Sequence, residues 1–191
     1  MSKTRLFTMM AAVALLAGCS GAGRPLLYPV PVVTPSEKVR ISYGSVEVRV
    51  VSLPEYAALS EMAFQTADGG IETSKSLLWA DNPVRAMTLE LSRALGQITG
   101  ATVASEPWPF DSVADARVEV RIEEMLTDQS GQYRLSGQYF VGPTNGEGRM
   151  RARVFSLLVP LAVDATPVAL AAARGQVIAD LAVLIARDGL R

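Results

Sequence analysis

The chain of 191 residues has no histidine, one cysteine and few aromatic residues, which make up 6% of it. Without histidine there is no imidazole for general acid–base work. Ser-His and Cys-His nucleophile pairs are excluded, and so is the commonest metal ligand. With Cys19 alone no internal disulfide can form, even in an oxidising compartment. An excess of one charge is missing too: 18 Lys and Arg face 19 Asp and Glu. Such a chain carries no electrostatic footprint for nucleic acid. The glycine-rich stretch 142–148 lacks the Lys-Ser/Thr ending of a phosphate loop and reads as a turn.

What is present is apolar: 49% of residues are hydrophobic, enough for a folded domain with a sizeable core. The chain opens with Lys3 and Arg5, an apolar run over 6–16, and then Leu16-Ala17-Gly18-Cys19. A basic start, a short apolar segment and small residues before a cut site make a secretory signal peptide. The run is too short for a span, which takes about 20 residues. The tetrapeptide resembles the lipobox of bacterial lipoproteins. That resemblance implies removal of residues 1–18, with a diacylglycerol thioether on Cys19 and an acylated new N-terminus. Two or more acyl signals anchor stably, at about 0.8 kcal/mol per buried CH₂. Loss of Lys3 and Arg5 with the leader takes the formal charge from −1 to −3. No cofactor is expected beyond the covalent lipid.

Residues 19–38 carry Pro25, Pro29, Pro31 and Pro35 and read as a proline-rich tether that docks in part on the domain. Fully extended, residues 20–38 reach about 59 Å, and Leu26-Leu27-Tyr28 is alternatively a short edge strand. From 39 to 191 the pattern is that of one domain. Val39, Ile41, Tyr43, Val46, Val48 and Val50 alternate, with Glu47 and Arg49 on the opposite face, which predicts a half-buried strand ending at Pro54. Met62, Phe64 and Thr66, the turn Asp68-Gly69-Gly70, and Ile71-Glu72-Thr73 predict a hairpin.

Asn82-Pro83 signals a helix start, and Gly100 its left-handed end. A short strand follows around 101–104. Between 117 and 159 three long strands alternate, joined by turns at 128–131 and 142–148, so neighbours are antiparallel. In the third, Met150, Ala152 and Val154 are set against Arg149, Arg151 and Arg153, an arginine row read as a solvated face. Thr166-Pro167 opens a last helix, whose apolar face is interrupted by Arg174 and Asp180 and which is therefore not a membrane span. The fold class is α+β: a single domain with a mostly antiparallel sheet and two helices packed on one face.

Three stretches, taken with the lipobox, resemble the ABC-type transport auxiliary lipoproteins of the paraquat-inducible protein C type. They are Val50-Val51-Ser52-Leu53-Pro54-Glu55-Tyr56, then Leu78-Trp79-Ala80-Asp81-Asn82-Pro83, and the strand set closed by Val159-Pro160-Leu161 before an alanine-rich helix. After Tyr56 the chain departs from the family, with Ala57-Ala58 in place of a leucine and an acidic residue. The resemblance implies a non-catalytic periplasmic domain on a membrane, supporting phospholipid traffic and envelope integrity. The partners it implies are an MCE-domain tunnel protein and inner-membrane transporter components, with homo-oligomeric assembly on that partner left open. By analogy with lipoprotein sorting, Ser20 in place of aspartate points to the outer membrane.

Candidate partner contacts are Tyr56, Trp79, Trp108 and Phe110, since aromatic residues near loops make interface anchors. Each has a plainer alternative. Trp79 and Trp108 also suit the gap between helix and sheet, and Tyr56 the sheet edge. Glu123 and Glu124, as strand neighbours, point to opposite faces and cannot flank one reacting bond. Two other functions stay open at this stage: a carrier holding lipid between helices and sheet, and a periplasmic hydrolase.

Overall fold

The computed structural model describes residues 24–162 and 165–191, so Cys19 and the leader lie outside the described residues. In chain order the elements are β1 (Leu26–Tyr28), β2 (Ser45–Val48), α1 (Glu55–Ala58), β3 (Glu61–Gln65), β4 (Ile71–Trp79), α2 (Pro83–Thr99), β5 (Thr102–Ser105), β6 (Ala116–Thr127), β7 (Gln132–Pro143), β8 (Arg151–Pro160) and α3 (Pro167–Leu184). A π-turn, Ile185–Gly189, closes α3.

Local chemistry sets the helix ends. The Asn82 side chain accepts the Arg85 N–H and Pro83 fills the first turn, while Gly100 ends α2 at φ 68°. Thr166 accepts the Ala169 N–H in the same way before Pro167. A side-chain acceptor at this position satisfies one of the amides a helix start leaves free.

The sheet is organised on β6. Along one edge β6 pairs with β7 over its whole length, and β7 pairs with β8, both antiparallel. The other edge is shared by successive pieces of one chain segment. β2 runs parallel to its start, with Val46 opposite Ala116. Ser52 then bridges at Arg121, and β3 meets the end of β6 only where Phe64 faces Thr127. The sheet therefore forks. β5 flanks β2 on one branch, and β4 and β1 flank β3 on the other.

Inward residues of the long strands, among them Val118, Val120, Leu135 and Tyr139, share one core with Leu91 and Leu95 of α2 and Val177 and Leu181 of α3. The fold is thus the expected α+β domain with both long helices on one face. α3 with its π-turn is apolar and long enough to cross a membrane by composition, yet most of it is buried in the fold.

Several expectations are corrected. The strand expected from Val39 to Val50 is β2 alone, four residues long; 39–44 are not strand, although Val39 is buried and its N–H bonds the Ile98 carbonyl. Glu47 is not on a solvated face, because β2 is central between β5 and β6. It is 7% exposed and accepts from Arg117 Nε at 2.7 Å.

β8 is set the other way round. Phe155 is buried, whereas Met150 and Val154 are 83% and 78% exposed. Both alternations of β8 carry apolar residues, and the heavier set Phe155, Leu157 and Val159 takes the core. Arg151 consequently turns inward and donates to the Asp188 carbonyl at 2.6 Å.

At Glu123 β6 bulges, with Ile122 opposite Gly137 and Glu124 opposite Ser136. Glu123 and Glu124 therefore both reach outer-face residues of β7, Gln138 and Ser136. They share a face after all, Glu123 held by Gln138 and Glu124 by Ser136 with Arg134 at 3.7 Å.

The segment expected as a tether docked in part lies on the fold from Leu26, and Leu26–Tyr28 is the edge strand of the alternative reading. β1 pairs parallel to the end of β4, with Tyr28 opposite Trp79. The chain then crosses α3 at Gly175, where an added Cβ would come within 2.8 Å of the Pro31 carbonyl oxygen. Further on, Arg187 grips both carboxylate oxygens of Glu37 at 2.6 and 2.8 Å. This strap is part of the domain.

Candidate functional site

The four aromatic candidates fall in three places. Tyr56 sits on α1, the single helical turn after Pro54, and is half-buried. Its phenol oxygen accepts the Met125 N–H at 3.1 Å. Met125 lies in the fork, between the bridge at Ser52 and the contact at Phe64, so no strand is there to pair that amide. Burial raises the Tyr56 pKa, against a smaller lowering by the Met125 hydrogen bond. It covers the sheet edge at the fork.

Trp108 and Phe110 lie on the loop that enters β6 at its start, so they are not brought together with Tyr56. Their rings meet edge to face, 5.0 Å between centroids. Trp108 donates its indole N–H to the Ser112 carbonyl at 2.6 Å, which closes the loop on itself. Phe110 remains 50% exposed and Val113 74% exposed. This is the one sequence-predicted pair that presents an aromatic surface.

Trp79, at the end of β4, is buried and so is not an outward contact. Its ring lies 4.8 Å from the guanidinium carbon of Arg174. Arg174 projects from α3 and is 1% exposed. Glu90 of α2 is its nearest opposite charge, at 3.6 Å from Nη2, beyond normal hydrogen-bond length. Desolvation raises the Glu90 pKa, and Arg174 offsets this in part.

Stripping water from the buried Arg174 costs several kcal/mol, and from the partly exposed Glu90 less. The ring face returns about 2 kcal/mol at a dry site. Around them the strap, the end of β4 and α2 enclose a cleft of about 220 Å³, with Arg174 and Glu90 on its walls. Sequence reading missed both residues. The available signal was one arginine between Ala173 and Gly175 on a helix apolar almost all round.

Among the described residues no three Cys, Asp or Glu side chains converge in a way that could hold a metal. What the geometry defines is a small α+β domain with a forked sheet, an aromatic loop at one end and a charged cleft under an N-terminal strap. Solved structures share that fold. An uncharacterised protein superposes with a TM-score of 0.66 at 20% identity, covering 86% of this chain and 97% of its own. A Xanthomonas campestris protein gives 0.67 at 17%, covering 84% and 95%.

The family described as ABC-type transport auxiliary lipoprotein component matches residues 26–186, and the chain belongs to it. It is similar to the intermembrane transport lipoprotein PqiC of Escherichia coli K12, at 30% identity over 146 residues, 74% of this chain and 75% of that protein. PqiC of Shigella flexneri matches to the same extent.

Proposed function

We propose that the protein is a non-catalytic lipoprotein, anchored through acylated Cys19, that serves as auxiliary subunit of an envelope lipid transport system. The observation that carries this reading is the family match over 26–186, which takes in nearly the whole described fold and starts a few residues after the lipobox. The PqiC relatives are intermembrane transport lipoproteins by name. Our reading places the anchor in the outer membrane, facing the periplasm, since Ser20 is not aspartate. The domain would meet an MCE-type tunnel protein and its inner-membrane components and so help maintain the membrane barrier.

Phe110 and Val113, apolar and exposed beside a self-closed loop, supply a docking surface of the aromatic kind found at interfaces. The test is mild cross-linking in intact cells, followed by purification of the full lipoprotein from membranes. Recovery of an envelope-spanning protein, reduced at least tenfold in Phe110→Asp, is the expected result. Recovery of no such protein by the wild type overturns the reading.

A further inference from the structure

We infer that the cleft between the strap and α2 binds a small zwitterion, an oxyanion a few atoms from an ammonium, held between Arg174 and Glu90. The reasoning begins with unmet valences. Arg174 is almost wholly buried, yet its Nε and Nη2 have no acceptor, and Glu90 Oε2 beside it has no donor. A buried polar group without a partner costs about 1–3 kcal/mol, and a charged one more. The two side chains form an ion pair at 3.6 Å but close no hydrogen bond with one another.

The other charges do not help. Asp81 is engaged by Arg85 and by the Asn82 N–H, and Arg93 favours the Glu90 carboxylate only through space, less than Arg174 does. An anion alone would meet the Glu90 carboxylate, and a cation alone the Arg174 guanidinium. A ligand with both signs answers both. The planar guanidinium accepts carboxylate and phosphate oxygens alike.

Size points the same way. About 220 Å³ holds several waters at about 30 Å³ each. It falls short of the 300–1,000 Å³ typical for drug-sized ligands. A head-group-sized molecule fits. The strap supplies Tyr28, Pro29 and Val30 to the cleft, so a bound ligand also fastens the strap. A ligand that binds only the strapped form stabilises it by mass action.

The site does not depend on the transport role, and either can fail alone. The test is calorimetric titration of the full lipoprotein in non-ionic detergent with glycerophosphoethanolamine, glycine, glycerol phosphate and ethanolamine. We expect saturable binding of one of the two zwitterions, at least tenfold tighter than either single-charge probe. Preference for glycerophosphoethanolamine identifies a phosphodiester head group as the source, and preference for glycine an amino acid. Glu90→Gln, which removes the ammonium's partner, and Leu89→Trp, which fills the cleft from its exposed rim, each weaken binding at least tenfold. Three results overturn the inference: no zwitterion saturating, glycerol phosphate binding as tightly, or Glu90→Gln binding like wild type.

Discussion

The Tyr56 hydroxyl stands 3.1 Å from the Met125 amide and takes the place of a missing strand in the fork of the sheet. Tyr56→Phe leaves the ring and strands the amide. An unmet buried donor costs about 1–3 kcal/mol, which for a domain of this size lowers the Tm by roughly 2–10 °C. Thermal unfolding followed by circular dichroism measures it. An unchanged Tm would mean that water reaches the fork.

Gly137 faces the bulge in β6 so closely that a Cβ there would lie 2.1 Å from the Arg121 carbonyl oxygen. Backbone, not a flexible side chain, is in the way. Gly137→Ala should therefore cost at least about 3 kcal/mol, at the upper end of overpacking effects. Denaturant melts read the loss, and a cost below about 1 kcal/mol would show that β7 slides away freely.

Asp128 pins the β6–β7 turn. Its carboxylate accepts the Ser130 hydroxyl and amide, the Gln132 amide and an Arg134 N–H. Led by the Ser130 hydroxyl, these bonds hold its pKa down to about 2 from 3.8. A depressed carboxylate stabilises the fold fully above its unfolded pKa and loses that effect as pH falls through the folded value. Asp128→Asn should lower the Tm at pH 7 and flatten its fall between about pH 4 and pH 2. A variant with the wild-type acid profile would mean the turn does not carry that stability.

Gly175 sits mid-helix, where glycine to alanine ordinarily gains about 1 kcal/mol. Here the strap lies against it, so Gly175→Ala should instead lift Pro31 off α3. Limited proteolysis of the full chain is expected to cut within 29–36 several times faster, with α3 intact. Wild-type cutting rates would show the strap held elsewhere, at Glu37 and Arg187 above all.

Cys19→Ala should abolish acyl labelling and move the protein out of the membrane fraction. Retention in membranes without label would make the protein's location independent of that thiol.

The parts of this fold that could be read from sequence are those decided within a few residues. Asn82, Gly100 and Thr166 end helices by bonds to their own turn, so the helices were legible. Asp68-Gly69-Gly70 likewise announced its hairpin. Failures came where distant chain decides. β8 alternates apolar residues on both faces, and only the core beneath it selects Phe155. Glu47 is buried because β5 arrives from another region of the sequence. Arg174 looked like a break in an apolar stripe; its burial depends on Trp79, ninety-five positions earlier, and on Glu90. Of the aromatic candidates, Phe110 is exposed, whereas Trp79 takes the plainer of its two places, in the interior against Arg174.

The crossing of Pro31 over Gly175 also limits how far the body can stray. With the chain laid down from Leu26 onward, only seven steps separate it from Cys19, about 25 Å at full stretch. A globule fastened at that thiol, as proposed above, would be moored on a short leash. It would swivel within a molecule's width of its bilayer, and whatever it assists would have to come alongside.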